Sequence, residues 1–370
     1  MRPASLIPNI LGAFSDGAVL FPILALLSMK AGFSTGLVLF STGLVYLASA
    51  IVFRVPMAVQ PLKSIAIAAV TVGATFQEVR WSGFFLGIVC LTLCLVNVDR
   101  FVKRVPITII HQLQVGLGVL LMLQGVRAFG DWNLLVNSIS GLSVLFASVL
   151  IVLFPEIRGL PLLGIIATLG LVASAFMGGQ SLVIEKSMES HTAIRPQLIV
   201  GLLIPQVILT LSNSVIATQN VCERYFGNRG FRVNARRLLY SIGLGNVLVA
   251  AVGGMPFCHG SGGVTAHVRG GSTQAWSTAL MGAFLLTLAL LHVVSPAHTI
   301  MYPPFLTAVL LMVTGVLHLK LAAPTAVSKM GWIKLSTAFM ITLVSHSLLW
   351  VLGGAVVLET SMRLGTKGEL

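Results

Sequence analysis

The chain has 370 residues, of which 56% are hydrophobic and only 9% are charged, and its formal net charge is +13. This composition excludes an ordinary soluble domain, in which about 25% of residues are charged. Solid apolar runs also argue against an outer-membrane barrel, whose strands alternate in polarity. We interpret the positive charge as basic residues of cytoplasmic loops rather than as a surface for nucleic acid.

Hydropathy and helix-breaking residues predict fourteen transmembrane spans. The first apolar run is too long for a cleavable signal peptide, so we expect it to remain in the mature protein. With a cytoplasmic N-terminus, Lys and Arg residues concentrate on the cytoplasmic side, and the C-terminus is cytoplasmic too. The break between the last two spans is modest, and a single helix there is the alternative. The predicted spans are 6–28, 34–53, 57–75, 81–98, 105–125, 133–154, 159–177, 198–218, 237–253, 260–273, 276–294, 303–319, 333–345 and 347–360.

The third and tenth spans are short, and each begins with an interrupted stretch that contains proline. These stretches, Val55–Pro61 and Gly254–Gly260, lie about 200 residues apart. About the same separation relates Asp16 to Asn213. Such an offset predicts two halves of seven spans with opposite orientations, and inverted repeats with interrupted helices are typical of secondary transporters. The predicted halves cover residues 6–177 and 198–360.

The two interrupted stretches predict a binding device made of two half-helices. An extended backbone up to Gln60 leaves polar groups available to a ligand, and Pro61 suits the first turn of the following helix. In the tenth span, Gly260–Gly263 allows a ligand to approach the backbone closely, with Ser261 as the expected N-cap. Because a helix N-terminus carries partial positive charge, two of them aimed at one point predict an anion site, with free N–H groups at residues 62–64.

Ionisable groups inside a span are costly, which makes them candidates for function. On the predicted spans, Asp16 is the only acidic residue well inside the membrane, and Lys63 is the only basic one. Lys63 would add a full positive charge to the anion site. Asp16 is the candidate for proton coupling, because burial penalises a charged carboxylate. The structural alternative is an Asp16–Lys63 ion pair that holds the helices together.

Other polar side chains lie at a similar depth. Asn213, between two serines, interrupts the apolar run of span eight, and Gln112 and Gln114 lie in span five. Hydrogen bonding between helices explains each of them as well as contact with a ligand does. His259 is a candidate for substrate binding or for proton relay, with a packed neutral histidine as the alternative.

Three ordered motifs resemble those of the molybdate transporter family, a branch of the SulP sulfate-permease superfamily. Pro56–Ser64 resembles the PMxVQPxKS element of that family, Leu211–Ala217 its LLNSVIA element, and Met255–Gly263 its MPxCHGxGG element. The resemblance runs from about residue 8 to beyond Arg269. It implies an all-α, seven-plus-seven inverted-repeat fold shared with uracil permease, with a core domain and a scaffold domain. It also implies molybdate or sulfate as the substrate.

Two features depart from the family pattern. The first span of the family usually reads GDLGT, whereas this chain has Ser15–Val19 with the sequence SDGAV, so the acid is kept in a different context. We expect no counterpart of the cytoplasmic STAS domain that many sulfate permeases carry. We therefore expect residues 1–370 to form a single polytopic membrane unit.

We predict a secondary active transporter of a small oxyanion, molybdate or sulfate, that works by proton-coupled alternating access. The alternatives are a transporter of another anion or of a nucleobase-like solute, and an anion channel. The sequence offers no catalytic constellation, so we expect neither an enzyme nor a cofactor or metal site. The expected partners are the oxyanion, protons and the lipid bilayer of a bacterial inner membrane, with a homodimer left open and no nucleic acid. The expected substrate-binding residues are Gln60, Lys63, Ser64, Asn213, His259, Gly260, Ser261 and Gly262, and the expected proton-coupling residues are Asp16 and His259.

Overall fold

The computed structural model of the protein is mostly helical, as predicted. Within the described residues, six helical stretches are long and apolar enough to cross a membrane, and shorter apolar helices lie between them. Two of the six, Leu6–Ser28 and Pro196–Arg232, are each divided into shorter helices. The predicted seventh span falls mostly outside the described residues. The structure describes residues 6–96, 105–154, 156–157, 160–162, 164–167, 169–170, 193–294 and 303–367.

The elements of the first half follow the predicted spans in order. Asp16 separates the first two helices, so the first span is interrupted. Within the described residues, strands β2 and β3 pair with each other and with no other strand. The elements are α1 (Leu6–Ser15), α2 (Gly17–Ala31), α3 (Thr35–Phe53), β1 (Gln60–Pro61), α4 (Lys63–Val72), α5 (Phe76–Leu93), α6 (Ile107–Phe129), α7 (Trp132–Asn137), α8 (Ile139–Leu153), β2 (Glu156–Ile157) and β3 (Leu160–Pro161).

The second half repeats the interrupted helices. A π-helical turn divides its first long helix, and a short strand precedes a short helix, as in the first half. The elements are α9 (Pro196–Leu209), the π-helix Thr210–Ile216, α10 (Ala217–Phe226), a 3₁₀ turn (Gly227–Arg232), α11 (Ala235–Ala251), β4 (Phe257–Cys258), α12 (Ser261–Arg269), α13 (Trp276–Val294), α14 (Pro304–Leu321), a 3₁₀ turn (Ala323–Val327), α15 (Lys329–Ser345) and α16 (Leu348–Lys367).

Local sequence features fix several helix ends. Helix α5 begins at Phe76, before the predicted start at residue 81, because Thr75 and Glu78 form a reciprocal capping box. Helix α15 ends at Ser345, because the backbone of the C-cap residue His346 is left-handed with φ 50°. Because α16 begins at Leu348, the last two predicted spans are two separate helices.

Glycine pairs at helix crossings reveal the internal symmetry. In each pair, a Cβ added to either glycine would lie within 3.1 Å of the partner's carbonyl oxygen, so the backbones approach too closely for any side chain. The α3–α13 crossing in one half corresponds to the α11–α5 crossing in the other, and α6 crosses its own counterpart α14. Corresponding glycines are about 200 residues apart, as the inverted repeat predicts. The pairs are Gly43 with Gly282, Gly243 with Gly87, and Gly118 with Gly315.

The helices pack into two groups. Helices α1–α5 and α9–α13, here called the core group, include the packed pairs α3 with α13 and α5 with α11. Helices α6–α8 and α14–α16, here called the scaffold group, centre on the packing of α6 against α14, α15 and α16. A separate apolar cluster around Leu135, Val144 and Met312 lies within the scaffold group.

Glu78 and Lys334 are also buried, so Asp16 and Lys63 are not the only buried charged side chains. Glu78 is buried and forms an ion pair with Arg195 at 2.7 Å. Helix α5 extends further towards its N-terminus than predicted, which brings Glu78 out of the expected loop. Lys334 is 8% exposed and pairs with Glu359 at 2.6 Å, which joins α15 to α16.

Candidate functional site

The two interrupted stretches lie together as an antiparallel ribbon. Strand β1 pairs with β4, so that Gln60 lies opposite Cys258. The N–H of Leu62 donates to the carbonyl oxygen of Pro256 at 3.1 Å. The pairing confirms that the two breaks face each other. It also occupies the Leu62 N–H, which the sequence predicted to be free, because the ribbon continues into the N-cap of α4.

Both half-helices begin at this ribbon. Helix α4 begins at Lys63 and α12 begins at Ser261. The N-cap of α12 is Gly260, whose backbone is extended with φ −75° and ψ 133°. The expectation that Ser261 is the N-cap is therefore wrong. Within the described residues, the backbone N–H groups of Lys63, Ser64, Ser261 and Gly262 form no hydrogen bond, so both helix starts retain donors for an anion.

Gln60 connects the buried acid to the buried base. Its side-chain nitrogen donates to Oδ1 of Asp16, and its side-chain oxygen accepts from Nζ of Lys63 at 2.6 Å. The hydroxyl of Tyr46 donates to Oδ2 of Asp16 at 2.6 Å. All four side chains are buried. Among the described residues, Asp16 and Lys63 form no direct ion pair. The Gln60 amide bridges the two side chains instead of the Asp16–Lys63 ion pair that the sequence offered as the structural alternative.

Two glycines let α12 approach this bridge. A Cβ on Gly263 would lie 2.5 Å from Oδ1 of Asp16 and from the side-chain nitrogen of Gln60. A Cβ on Gly260 would lie 2.7 Å from the side-chain oxygen of Gln60. Around Gly262, by contrast, no atom would lie within 4 Å of an added Cβ. Positions 260 and 263 therefore need glycine for packing, whereas Gly262 leaves open space beside the helix start.

Span eight reaches the site through its π-helical turn. The turn, Thr210–Ile216, contains Asn213, and such turns are frequent at functional sites. The Asn213 side-chain oxygen accepts from the hydroxyl of Ser261 at 2.7 Å. The hydroxyl of Thr218 donates to the carbonyl oxygen of His259 at 2.6 Å. These two bonds attach span eight to the start of α12.

His259 is buried beside the ribbon, and both of its ring nitrogens have partners. Nδ1 lies 2.8 Å from the carbonyl oxygen of Ala58, and Nε2 lies 2.9 Å from the hydroxyl of Ser241. The imidazole thus links the first interrupted stretch to α11 and fixes the segment that precedes Gly260. Its roles in substrate binding and proton relay remain predictions.

A small cavity lies where the start of α4 faces the scaffold group. Its volume of about 20 Å³ admits a water molecule, but it is too small for an oxyanion of five heavy atoms. The site is therefore closed in this conformation. The cavity is lined by Lys63, Ser64, Gln206, Leu209, Asn213, Ser214 and Cys258 from the core group and by Gln114, Leu117 and His318 from the scaffold group.

Two polar residues at the cavity were not predicted as site residues. The hydroxyl of Ser64 donates to the side-chain oxygen of Gln206 at 2.5 Å. Nδ1 of His318 lies 2.5 Å from the side-chain oxygen of Gln114. The sequence could have pointed to Gln206, since it is an amide within the apolar run of span eight. It could not have pointed to His318, because only the packing of α14 against α6 brings that residue to the cavity.

His267 is a further unpredicted neighbour of the buried acid. Its Nε2 lies 3.9 Å from Oδ2 of Asp16, and the ring is fully buried. Within the described residues, neither ring nitrogen has a hydrogen bond of good geometry, and the nearest backbone partner is Gly12. Buried polar groups normally have hydrogen-bond partners, so His267 is an additional candidate for handling the proton.

Comparison with known proteins supports this architecture. Residues 6–121 and 199–317 match the family described as "Molybdate transporter of MFS superfamily". Molybdate transporter 1 of Arabidopsis thaliana is 25% identical over 336 residues, which cover 77% of this chain and 73% of that protein. Molybdate transporter 1 of Chlamydomonas reinhardtii is 35% identical over 94 residues, which cover 24% of this chain and 18% of that protein.

Solved structures share the fold. The transmembrane domain of the cyanobacterial bicarbonate transporter BicA aligns with a TM-score of 0.64 at 17% identity, covering 96% of this chain and 98% of that chain. The murine Slc26a9 anion transporter in its inward-facing state aligns with a TM-score of 0.65 at 13% identity, covering 99% of this chain and 69% of that chain. The inverted-repeat transporter fold is thus confirmed. Because the family match spans more than half of the sequence, the chain belongs to the molybdate transporter family and is an integral membrane anion transporter rather than an enzyme.

Proposed function

We propose that the protein is a secondary active transporter of a small oxyanion, molybdate first and sulfate second, that works by proton-coupled alternating access. The observation that carries this proposal is the β1–β4 ribbon, which brings two half-helix N-termini and Lys63 together. The names of the relatives favour molybdate within the class of tetrahedral dianions.

Charge balance supports a dianion at this site. An anion that leaves water needs its hydration replaced by positive charge and N–H donors. Each half-helix N-terminus supplies about half a positive charge, and Lys63 supplies a full one, so together they balance about two negative charges. Ser64, Asn213 and the backbone at 260–262 would supply hydrogen bonds. A neutral nucleobase would need no such concentration of positive charge.

The proton would act through Gln60. With Asp16 ionised, the Gln60 nitrogen faces the carboxylate and the Gln60 oxygen holds Lys63. A protonated Oδ1 becomes a donor, which favours a flipped amide whose nitrogen faces Lys63. Because two donors cannot bond to each other, Lys63 would be released towards the anion. Tyr46 can keep its bond to Oδ2 in both states, and His267 is the other ionisable neighbour of Asp16.

Alternating access would arise from movement between the two helix groups. The closed cavity has Lys63 on one wall and Gln114 and His318 on the opposite wall. Separation of the core group from the scaffold group on one side of the membrane at a time would open the cavity to that side. In transporters built from inverted repeats, rocking of one unit against the other commonly performs this step.

Uptake into proteoliposomes tests the proposed function. Labelled molybdate should accumulate when the outside is made acidic, and unlabelled sulfate should compete with it. Accumulation that ignores the pH gradient would remove proton coupling, and competition by nucleobases but not by sulfate would favour the alternative substrate class. An anion current that neither saturates nor requires a proton gradient would favour a channel.

We also propose that both termini face the cytoplasm of a bacterial cell and that the repeats cover residues 6–177 and 198–360. The distribution of Lys and Arg supports this orientation. The glycine pairs at symmetric crossings support the offset between the repeats.

A further inference from the structure

A second, larger concavity lies on the core group away from the substrate cavity. It is a groove of about 970 Å³ between α3, α5 and α11, and it shares no lining residue with the cavity at Lys63. Its walls carry apolar side chains that are strongly exposed, including Leu44 at 45% and Leu248 at 58%. In a membrane-spanning protein, such walls along the helices face acyl chains rather than water.

One end of the groove is strongly basic. Four exposed arginines line it where α3 and α5 end and α11 begins, and the positive-inside pattern places this end at the cytoplasmic surface. No acidic side chain is among the described lining residues. None of the four guanidinium groups forms an ion pair within the described part of the chain. The arginines are Arg54, Arg232, Arg236 and Arg237.

We propose that this groove binds one anionic phospholipid of the cytoplasmic leaflet. The arginines would hold the phosphate, since a guanidinium group binds phosphate oxygens in a bidentate manner. The acyl chains would cover the apolar walls of α3 and α11. Basic pockets between transmembrane helices on the cytoplasmic side are suited to acidic headgroups. A soluble oxyanion would leave the apolar walls uncovered, and a zwitterionic lipid would bring its own cation to the arginines.

The groove also reaches the back of the substrate site. Phe257 of the ribbon and Ser241 both line the groove, and the Ser241 hydroxyl contacts Nε2 of His259 at 2.9 Å. A bound lipid would therefore pack against the segment that positions the start of α12. The proposed lipid site rests on the groove's own lining residues, so it does not depend on which anion the protein transports.

Native mass spectrometry of the purified full-length protein tests the site. Phosphatidylglycerol and phosphatidylcholine with identical acyl chains are titrated separately, and bound lipid is counted. We expect at least about tenfold tighter retention of phosphatidylglycerol, from the attraction of several arginines to an anionic headgroup. The double variant Arg232→Gln/Arg236→Gln should lose this preference. The matched variant Arg224→Gln/Arg229→Gln, which removes the same charge outside the groove, should keep it.

A second variant tests whether the groove binds a phospholipid or only a soluble anion. Ala48→Trp fills the apolar part of the groove without changing its charge, so it should weaken phosphatidylglycerol binding several-fold. Unchanged binding in Ala48→Trp, together with displacement of the lipid by inorganic phosphate, would show a simple anion site and overturn the proposal. Equal retention of both lipids by the unmodified protein, or equal loss of preference in the two arginine variants, would also overturn it. Thermal unfolding of each variant reports whether it is folded.

Discussion

In the proposed mechanism, Gln60 transmits the change in protonation of Asp16 to Lys63. Its amide is the only described link between the two charges, with its nitrogen on the carboxylate and its oxygen 2.6 Å from Nζ of Lys63. Replacement by methionine keeps the length of the side chain but removes both hydrogen bonds. Although the sequence placed Gln60 among the substrate-binding residues, its amide is engaged by Asp16 and Lys63 and does not line the cavity. We therefore expect Gln60→Met to bind molybdate within a few-fold of the unmodified protein and to lose the acceleration of uptake by a pH gradient. Asp16→Asn should lose it too.

Gln124 provides a control that distinguishes loss of proton coupling from the general effect of replacing a buried glutamine. Gln124 is also buried and also donates a side-chain hydrogen bond, to Thr71 at 2.8 Å, but it lies away from the bridge. Gln124→Met should keep the pH dependence of uptake. Gradient-driven uptake that persists in Gln60→Met would show that the amide bridge is structural.

At the level of single elements, two glycines of α12 have different roles: Gly263 is needed for packing, whereas Gly262 leaves space for the substrate. An added methyl group at 263 would collide with Asp16 and Gln60, whereas one at 262 meets nothing within 4 Å. We expect Gly263→Ala to cost about 1–3 kcal/mol of stability, as overpacked sites do. Gly262→Ala should not lower stability, because alanine favours a helix over glycine, but it should weaken molybdate binding, because the methyl group takes space beside the helix start. Thermal unfolding and calorimetry measure the two effects.

Gly353 is the control position for Gly262. Gly353 in α16 also has open space around an added Cβ, so Gly353→Ala should leave binding unchanged and should not lower stability, since alanine favours a helix by about 0.5–1 kcal/mol over glycine. If Gly262→Ala binds molybdate as tightly as Gly353→Ala does, the anion does not approach the start of α12.

The sequence predicts the fold and the candidate site best where helix-breaking or polar residues interrupt apolar runs. Pro56 and Pro61, with the glycines around residue 260, marked both interrupted helices and their pairing, and Asn213 marked the polar turn of span eight. The Thr75–Glu78 capping box has a recognisable sequence pattern, but the predicted fourth span begins only at residue 81 and so leaves Glu78 outside the helix. Nothing local could reveal the amide bridge through Gln60 or the position of His318, because both depend on how separate helices pack.

At the scale of the whole molecule, the proposed alternating access requires the two helix groups to move apart at the cavity. Leu117 of α6 and Leu209 of α9 line the closed cavity from opposite groups. In a background without the four native cysteines, Leu117→Cys/Leu209→Cys should form a disulfide on oxidation and stop uptake, and reduction should restore it. Each single cysteine variant is the control. Full transport in the oxidised double variant would contradict movement at this interface.

The orientation of the chain is also a property of the whole molecule. If both termini are cytoplasmic, green fluorescent protein fused after Leu370 should fold and fluoresce in bacterial cells. Alkaline phosphatase fused at the same place should be inactive. The reverse pattern would place the C-terminus outside the cytoplasm, and the arginine end of the groove with it.

The central claim is that the paired half-helices and Lys63 form the oxyanion site. Calorimetric titration of molybdate into the purified protein tests it most directly, with Lys63→Gln compared with Lys334→Gln. The two lysines are similarly buried, at 9% and 8% exposure, but Lys334 pairs with Glu359 in the scaffold group. Loss of a hydrogen bond to a charged group costs about 1.5–3 kcal/mol, so Lys63→Gln should weaken binding at least about tenfold. Lys334→Gln should bind molybdate as the unmodified protein does. Unaltered affinity in Lys63→Gln would contradict the account and leave Lys63 as a structural partner of Gln60.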